Sequence, residues 1–522
     1  MLQPIRNKVK ERQEISEVSS SAAPIRGWNT RDPLANMNPL FAIQLDNWFP
    51  SAGTVSVREG IASHVTGITG IAKSLFPWNG LTSQKLFTGT DAAIFQVTTA
   101  AASPTATGVA RTNGYGNYIN FRTTGGSYLV IVNGTDNLVY YDGTTWTSLA
   151  NYTIGAGPGT IATNAISNIN VYKRSIYFIG KNSMSFYYLP IDQITGVVSE
   201  FPLGALFPKG GKLVAMGTWT MDGGFGQEDY SVFITDKGQA AVYLGTDPSS
   251  AATWELKGVY NLAPPMGDKC FTNFGSDLLV LTARGLFSMT QILQKGGFAG
   301  TSALTDLIGE AWTVSAVSLP DAKGWECIEY PEKNALICNI PQTEFASSHQ
   351  YVMNTKTGAW CRFKGWDGFS FVLFNRELYT SMITQVAKPF QPGNDFAASI
   401  TAIAKGAFNY HKPRARLKHW DMVRPNLTIS GKVAVNVAID TDFSEGANWG
   451  AAVFNDSAVS RWDTAIWDQS QWASEPLPRI EWVTVAGEDS YCAAIRLRVI
   501  ARDATVAWSA TDMLYRPGAL LG

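Results

Sequence analysis

From residue 72 onward the chain is built from runs of four to eight apolar or alternating residues, separated by Gly, Asn, Asp and Thr. That pattern predicts short β-strands and tight turns. Residues 118–149, YINFRTTGGSYLVIVNGTDNLVYYDGTTWTSL, divide into four strands joined by TTGG, NGTDN and DGTT, a meander within one sheet. Comparable groups occupy 73–98, 168–203, 213–260, 269–291, 325–363 and 368–383. Their onsets fall roughly 40 to 60 residues apart, the period of four-stranded propeller blades, and give about six or seven blades. A propeller closes its ring by pairing an early strand with the last blade. Val55 and Val57 alternate on one face of a strand with no evident hairpin partner within 24–60, and a lone strand is unstable in water. The expectation is therefore that Trp48, Val55 and Val57 carry the closure.

The rest of the chain reads differently. Residues 1–23 are polar, charge-mixed and Ser-rich, which predicts a flexible N-terminal tail. Residues 24–390 are expected to form the propeller with its N-terminal arm, and 391–522 a second all-β unit, a C-terminal β-sandwich. One helix is predicted at 302–312, SALTDLIGEAW, with Ser302 as N-cap. Trp462, Trp467 and Trp472 stand five residues apart, a period of neither helix nor strand, and predict an irregular Trp-rich insertion.

Composition sharpens this picture. Forty-eight Gly, 12% aromatic and only 16% charged residues fit an all-β chain, and 522 residues exceed one ordinary domain. Forty-one basic against 42 acidic residues leave a net charge of −1, which argues against holding nucleic acid by general attraction. Five cysteines without CxxC spacing form neither a disulfide framework nor a zinc site. Cys327 and Cys338, symmetric about a PEKN turn, are expected as core thiols facing each other across a hairpin. No apolar run approaches the length of a membrane span, and the N-terminus has no signal-peptide core.

No nucleophile, metal or cofactor motif occurs: His64, His349, His411 and His419 are scattered, and HExxH, GxSxG and P-loop patterns are lacking. The expectation is a protein without catalytic residues, metal or cofactor. Asp142 and Gly143 resemble part of the Asp-box turn of sialidase propellers, yet Tyr140 stands where that box has Ser, so they read as a hairpin turn. Glu326 and Glu329, three apart on a strand, fall on opposite faces. Lys412, Arg414, Arg416 and Lys418 alternate as a basic strand face. Such a face would suit a DNA-lined channel, or else a solvated sheet surface or a row of intersubunit ion pairs.

The stretch 24–60 resembles the opening of the tail nozzle (tail tubular protein B) family of short-tailed bacteriophages. The matching positions are Gly27, Trp28, Asn29, Arg31, Asp32, Met37, Ala42, 45–50, Val55, Val57, Arg58 and Gly60. Two further matches cover 229–289, including Phe233, Thr235, Gly238, Tyr243, Asp247, Trp254 and Gly285, and TGAW at 357–360. The resemblance implies a structural virion protein assembled in the bacterial host cytoplasm. It also implies a ring, usually of six copies, below a tail adaptor protein, with tail fibres or spikes as further partners. In such proteins the ring retains packaged DNA and conducts it out at infection, without sequence-specific binding. Trp28, Arg31 and Asp32 are then expected to dock the adaptor or a neighbouring subunit. The competing readings are a tail-associated carbohydrate-binding propeller and a glycan-degrading, sialidase-like enzyme.

Overall fold

The computed structural model describes residues 16–155, 159–222, 227–297, 300–431, 433–446, 449–454, 477–479, 481–485 and 489–520. The chain divides into two compact units, Arg58–Ala398 and a discontinuous one made of Met1–Val57 with Ser399–Gly522.

The unit Arg58–Ala398 is a β-propeller. Every blade except the one that closes the ring comes from consecutive strands, because short turns leave a strand no partner nearer than its chain neighbour. Asn117–Thr123, Gly126–Val132, Leu138–Tyr141 and Trp146–Leu149 pair in that order, as the turn signals predict. The same four-strand plan recurs at Ser74–Ala110, Ile166–Pro202, Leu213–Asn261 and Glu326–Phe363. The Ile166–Pro202 sheet gains two strands, Asn151–Ile154 and Gly159–Ala162, along its outer edge. The sixth four-stranded blade is made of Ser370–Phe374, Glu377–Ser381 and Val386–Gln391 with Gly60–Val65. A three-stranded sheet, Phe271–Phe274, Asp277–Thr282 and Gly285–Ser288, stands between two of these blades. Its outer edge is covered by a loop: Leu304 N donates to Leu286 O at 2.8 Å, and Leu286 N to Thr305 Oγ1 at 3.1 Å.

Aromatic side chains fill the gaps between blades. Phe186 stacks on Phe233 (4.4 Å, 11°) and Tyr243 on Trp254 (5.0 Å, 17°). Phe76, Trp78, Phe87 and Tyr141 form another such layer. Large rings suit this task because each buries ~150 to 250 Å².

The closing strand is one segment later than expected. Gly60–Val65 runs antiparallel to Val386–Gln391, with Val65 opposite Val386 and Gly60 opposite Gln391. Val55–Val57 does not close the ring. It has a hairpin partner after all, Trp48–Pro50, and also pairs with the final strand, Ser56 opposite Ala507. The Pro50–Thr54 turn makes that hairpin local, Ser51 N donating to Thr54 O at 2.8 Å, and so removes the need for a distant edge. Trp48, fully buried, packs against Trp508 with ring centres 5.9 Å apart, in the discontinuous unit.

Among the described residues that unit has two sheets, the layers of the expected sandwich. One contains Phe41–Asp46, Ile400–Gly406, Ala493–Ala501, Val433–Thr441 and Gly450–Phe454 in that order. The other centres on two long antiparallel strands, Arg416–Ser430 and Thr505–Leu520. Residues of both layers, Gly406 and Ile495 from one and Trp508 and Met513 from the other, enclose a cavity of about 20 Å³. The sandwich is therefore built from both ends of the chain, and the expected boundary near 390 misassigned 24–57. The end of the expected tail is also ordered: Glu17–Ala22 pairs residue for residue with 510–515, Tyr515 OH donating to Glu17 Oε2 at 2.8 Å. The short run EVSSSA, mostly small and polar, serves as an edge strand despite a composition that reads as tail. The rest of the tail and Trp462, Trp467 and Trp472 lie outside the described residues.

The helical region differs as well. The expected cap at Ser302 gives way to a 3₁₀ turn, Asp306–Ile308, and the α-helix spans Gly309–Ser318. A second helix, Met289–Lys295, has no counterpart in the sequence pattern; Ser288 Oγ caps it by accepting from Gln291 N at 3.0 Å.

Gly60 marks where ring closure tolerates no side chain. A Cβ there would lie 1.8 Å from Asn394 O, whereas one at Gly53 would meet nothing within 4 Å. Gly60→Ala is expected to lower stability by ~1 to 3 kcal/mol, the range of overpacking, and Gly53→Ala to leave it unchanged within ~0.5 kcal/mol. Chemical denaturation of both variants checks this.

Candidate functional site: the axial pocket of the propeller

The innermost strands converge on a pocket of about 530 Å³. Asparagine is disfavoured in strands, yet Asn117, Asn120, Asn168 and Asn170 all lie on inner strands and line this pocket. Their amides join one blade to the next. Asn120 Nδ2 donates to Pro77 O at 2.8 Å, while Asn120 Oδ1 accepts from Asn79 N at 2.9 Å. Asn117 Nδ2 donates to Ser167 O at 2.9 Å, and Asn170 Nδ2 to Met216 O at 2.7 Å. Inner strands of neighbouring blades diverge and cannot share a ladder, so side-chain amides satisfy backbone groups that would otherwise be orphaned.

The pocket also holds charge. Lys269 Nζ lies 3.3 Å from Glu326 Oε2 and 3.2 Å from Ser370 Oγ. Glu326 Oε1 accepts from Phe371 N. Asp268 accepts from Tyr115 OH at 2.8 Å and lies 3.5 Å from Lys323 Nζ. The Lys269 and Lys323 ammonium groups stand 4.9 and 5.1 Å from the centre of the Tyr115 ring. Burial pushes the Glu326 carboxyl above its usual range, against the pull of Lys269. Both its oxygens are engaged, so the group works as a joint between blades.

At the start of the propeller, Arg58 was missed as a site by sequence reasoning. Its guanidinium is fully buried and forks onto Asp395 at 2.8 and 2.6 Å. It also donates to Lys364 O at 2.7 Å and lies over the Trp366 ring at 4.8 Å.

The expected sites fall as follows. Trp28 is buried, its Nε1 donating to Ile43 O at 2.9 Å, which removes it as a docking side chain. Arg31 and Asp32 do reach the surface, paired at 2.9 Å on a turn held by Asn29, whose Oδ1 accepts from Arg31 N and Asp32 N. Hydrogen bonds from Arg31 and Asn29 hold Asp32 below its usual pKa. The basic face does not form. The strand begins only at Arg416, Lys412 and Arg414 precede it, and Arg414 stacks over Tyr410 at 4.5 Å. Arg416 donates to Gly518 O at 2.7 Å. Lys418 is fully buried, its Nζ donating to Pro413 O and Arg416 O at 2.9 and 3.1 Å. Cys327 and Cys338 do face each other in register, both buried free thiols. Asp142 forms the expected hairpin turn: burial opposes its charge, but N–H donors from Thr145 and Thr144 hold its carboxyl low. Among the described residues no group of three His, Cys, Asp or Glu side chains could hold a metal ion, and no helix is long and apolar enough to cross a membrane.

Strand order and site together define the class: an all-β protein combining a propeller with a sandwich built from both chain ends. No protein-family model and no curated protein sequence matches it. Solved structures similar to it include BBS1N in complex with ARL6DN (TM-score 0.42, 12% identity, 65% of this chain and 100% of that one). Sqt1 of Saccharomyces cerevisiae is another (0.37, 12%, 66% and 96%), as is a putative 6-phosphogluconolactonase of Bacteroides fragilis (0.33, 11%, 63% and 90%).

The buried charges govern stability in two testable ways. Lys269→Met leaves the Glu326 carboxylate without its cation, at a cost of ~3 to 5 kcal/mol for a broken buried pair. Because the lone carboxyl can take up a proton, the loss is expected to be largest at neutral pH and to shrink in acid, measured as denaturation midpoints against pH. His411 is buried, with Nδ1 2.9 Å from Ser19 Oγ and its ring against Trp420; burial, and next the Lys418 charge, lower its pKa to about 4. A base held down in the fold contributes stability above its unfolded pKa of ~6.5 that is lost as pH falls towards about 4. His411→Asn is expected to remove up to ~3 kcal/mol of that acid sensitivity, because each tenfold change in proton affinity is worth ~1.4 kcal/mol.

Proposed function

We propose that this chain is a structural virion protein of the tail nozzle type, one subunit of a ring that forms the distal tube of a short-tailed phage. What supports the reading is where the resembling residues fall. Leu45, Trp48 and Val55 are buried core, Asn29 braces a turn, and Arg58 locks onto Asp395. The resemblance thus rests on the residues that specify this scaffold, not on interchangeable surface positions. The near-neutral charge fits a conduit that DNA leaves without binding. An axial pocket of about 530 Å³ inside one propeller leaves no lane for a duplex, so the conduit in this reading lies between copies around a shared axis. Docking to an adaptor would use Arg31, which is exposed, and Asp32, which is half-buried beside it.

The test is assembly. Purified protein, alone and with tails that lack this subunit, is expected to form a closed ring of about six copies by mass photometry, and to restore DNA retention. A monomer that neither assembles nor restores tails, or that turns over host polysaccharide, sinks the reading.

A further inference from the structure

Three segments of two adjacent blades interlock on one face of the propeller and bring four lysines together. They are the turn at 181–183 after Ser175–Gly180, the link at 207–212 that enters Leu213–Asp222, and the turn at 236–238 before Gln239–Gly245. Leu213 N donates to Ser183 O at 2.9 Å and Asp236 N to Lys212 O at 3.0 Å, which joins the link to both turns. Lys209 N donates to Gln239 Oε1 at 2.9 Å, and Lys212 Nζ to Asn182 Oδ1 at 3.2 Å. The link lies this close because Gly210 and Gly211 both take positive φ. A Cβ on Gly211 would stand 2.0 Å from Asp236 Oδ1 and 3.0 Å from Lys237 Cγ.

The charge there is one-sided. Lys181, Lys209, Lys212 and Lys237 are all exposed. Among the described residues these segments hold a single ion pair, Lys237 with Asp236 at 3.9 Å, and Asp236 already accepts from Lys212 N at 2.9 Å. Lys181 Nζ reaches Gly134 O at 3.4 Å. Asp136, two residues further on, is engaged by Thr112 Oγ1 and Asn133 Nδ2. Four ammonium groups thus stand against two carboxylates that are both hydrogen-bonded elsewhere. Among the described residues none of the exposed large apolar side chains falls in the three segments.

We infer that this face touches the phosphate backbone of double-stranded DNA, weakly and without reading its sequence. A protein partner would call for an apolar centre within a polar rim, whereas phosphate contacts need only accessible cations. Lysine suits a contact that must be given up again: its ammonium is a hydrated point charge without the fork that lets arginine grip phosphate with two bonds. The chain's net charge of −1 does not oppose this, because salt confines attraction to about 8 Å and a local excess acts alone. The inference rests on the nozzle reading for the source of the DNA, and the two fail separately, since one is read by ring mass and the other by salt-dependent binding.

Anisotropy titration of a labelled duplex of about 30 base pairs with the full chain, at salt from about 50 to 200 mM, tests it. Affinity is expected to fall at least tenfold over that range. Lys181→Ser and Lys237→Ser, taken singly, are each expected to reduce the slope of log affinity against log salt by about 1, with an unchanged unfolding midpoint. Lys356→Ser, an exposed lysine in the turn before Trp360–Phe363, is expected to leave the slope unchanged. The patch is overturned by absence of binding at the lowest salt, by a slope that neither patch variant changes, by an equal loss in Lys356→Ser, or by tighter binding of polyglutamate than of the duplex. A chain that assembles into rings and gives any of these results keeps the nozzle reading and loses the patch; a monomer that gives the expected slopes upholds the patch alone.

Discussion

A ring of blades is stable only if its two ends are joined without a covalent bond, and in this chain that joint is the pairing of Gly60–Val65 with Val386–Gln391. Each blade meets only its neighbours, so an unjoined ring would leave an edge open at Val386–Gln391 and an apolar face uncovered. Arg58 stands at the start of the closing strand and Asp395 just after its partner, and their forked ion pair fixes the register of the joint. Trp366 covers the guanidinium. Burying such a pair is not a large net gain, but breaking one side of it is costly, which makes it a specifier of one closure over neighbouring ones.

The interior of the propeller follows from the same geometry. Strands that fan out from an axis lose contact at one end, and backbone groups there need partners other than a ladder. Asparagines 117, 120, 168 and 170 supply them, and the Lys269–Glu326 pair ties the sheet after it into the same network. Away from the axis the gaps widen, and aromatic stacks such as Phe186 on Phe233 take over. The polar axis and the aromatic flanks are one solution to wedge-shaped blades.

The sandwich poses a different problem, because its strands come from both ends of the chain. Folding it requires residues 27–57 to meet strands some 350 or more positions later, as in Asn47 Nδ2 donating to Thr401 O. Such long-range closure is entropically slow, whereas each blade can form locally. The buried Trp48 against Trp508 and the edge strand Glu17–Ala22 on 510–515 then hold the two ends together.

The sequence by itself determined what depends on near neighbours: alternation, turn chemistry and period. These placed the groups of strands, the 118–149 meander, the turn at Asp142 and the facing cysteines, because each is set within about 30 residues. What it could not decide is which distant edge a strand chooses. Val55–Val57 and Gly60–Val65 are both short and half apolar, and only the surrounding sheets separate the strand that completes the sandwich from the one that completes the ring. Lys418 likewise reads as one of four alternating surface cations, and becomes a buried donor only because the strand starts at Arg416 and carbonyls of 413 and 416 curl over it. The axial site was half legible: asparagines in strands are a visible anomaly, but their partners lie in the next blade, and a pattern along one strand carries no information about what diverges from it in space.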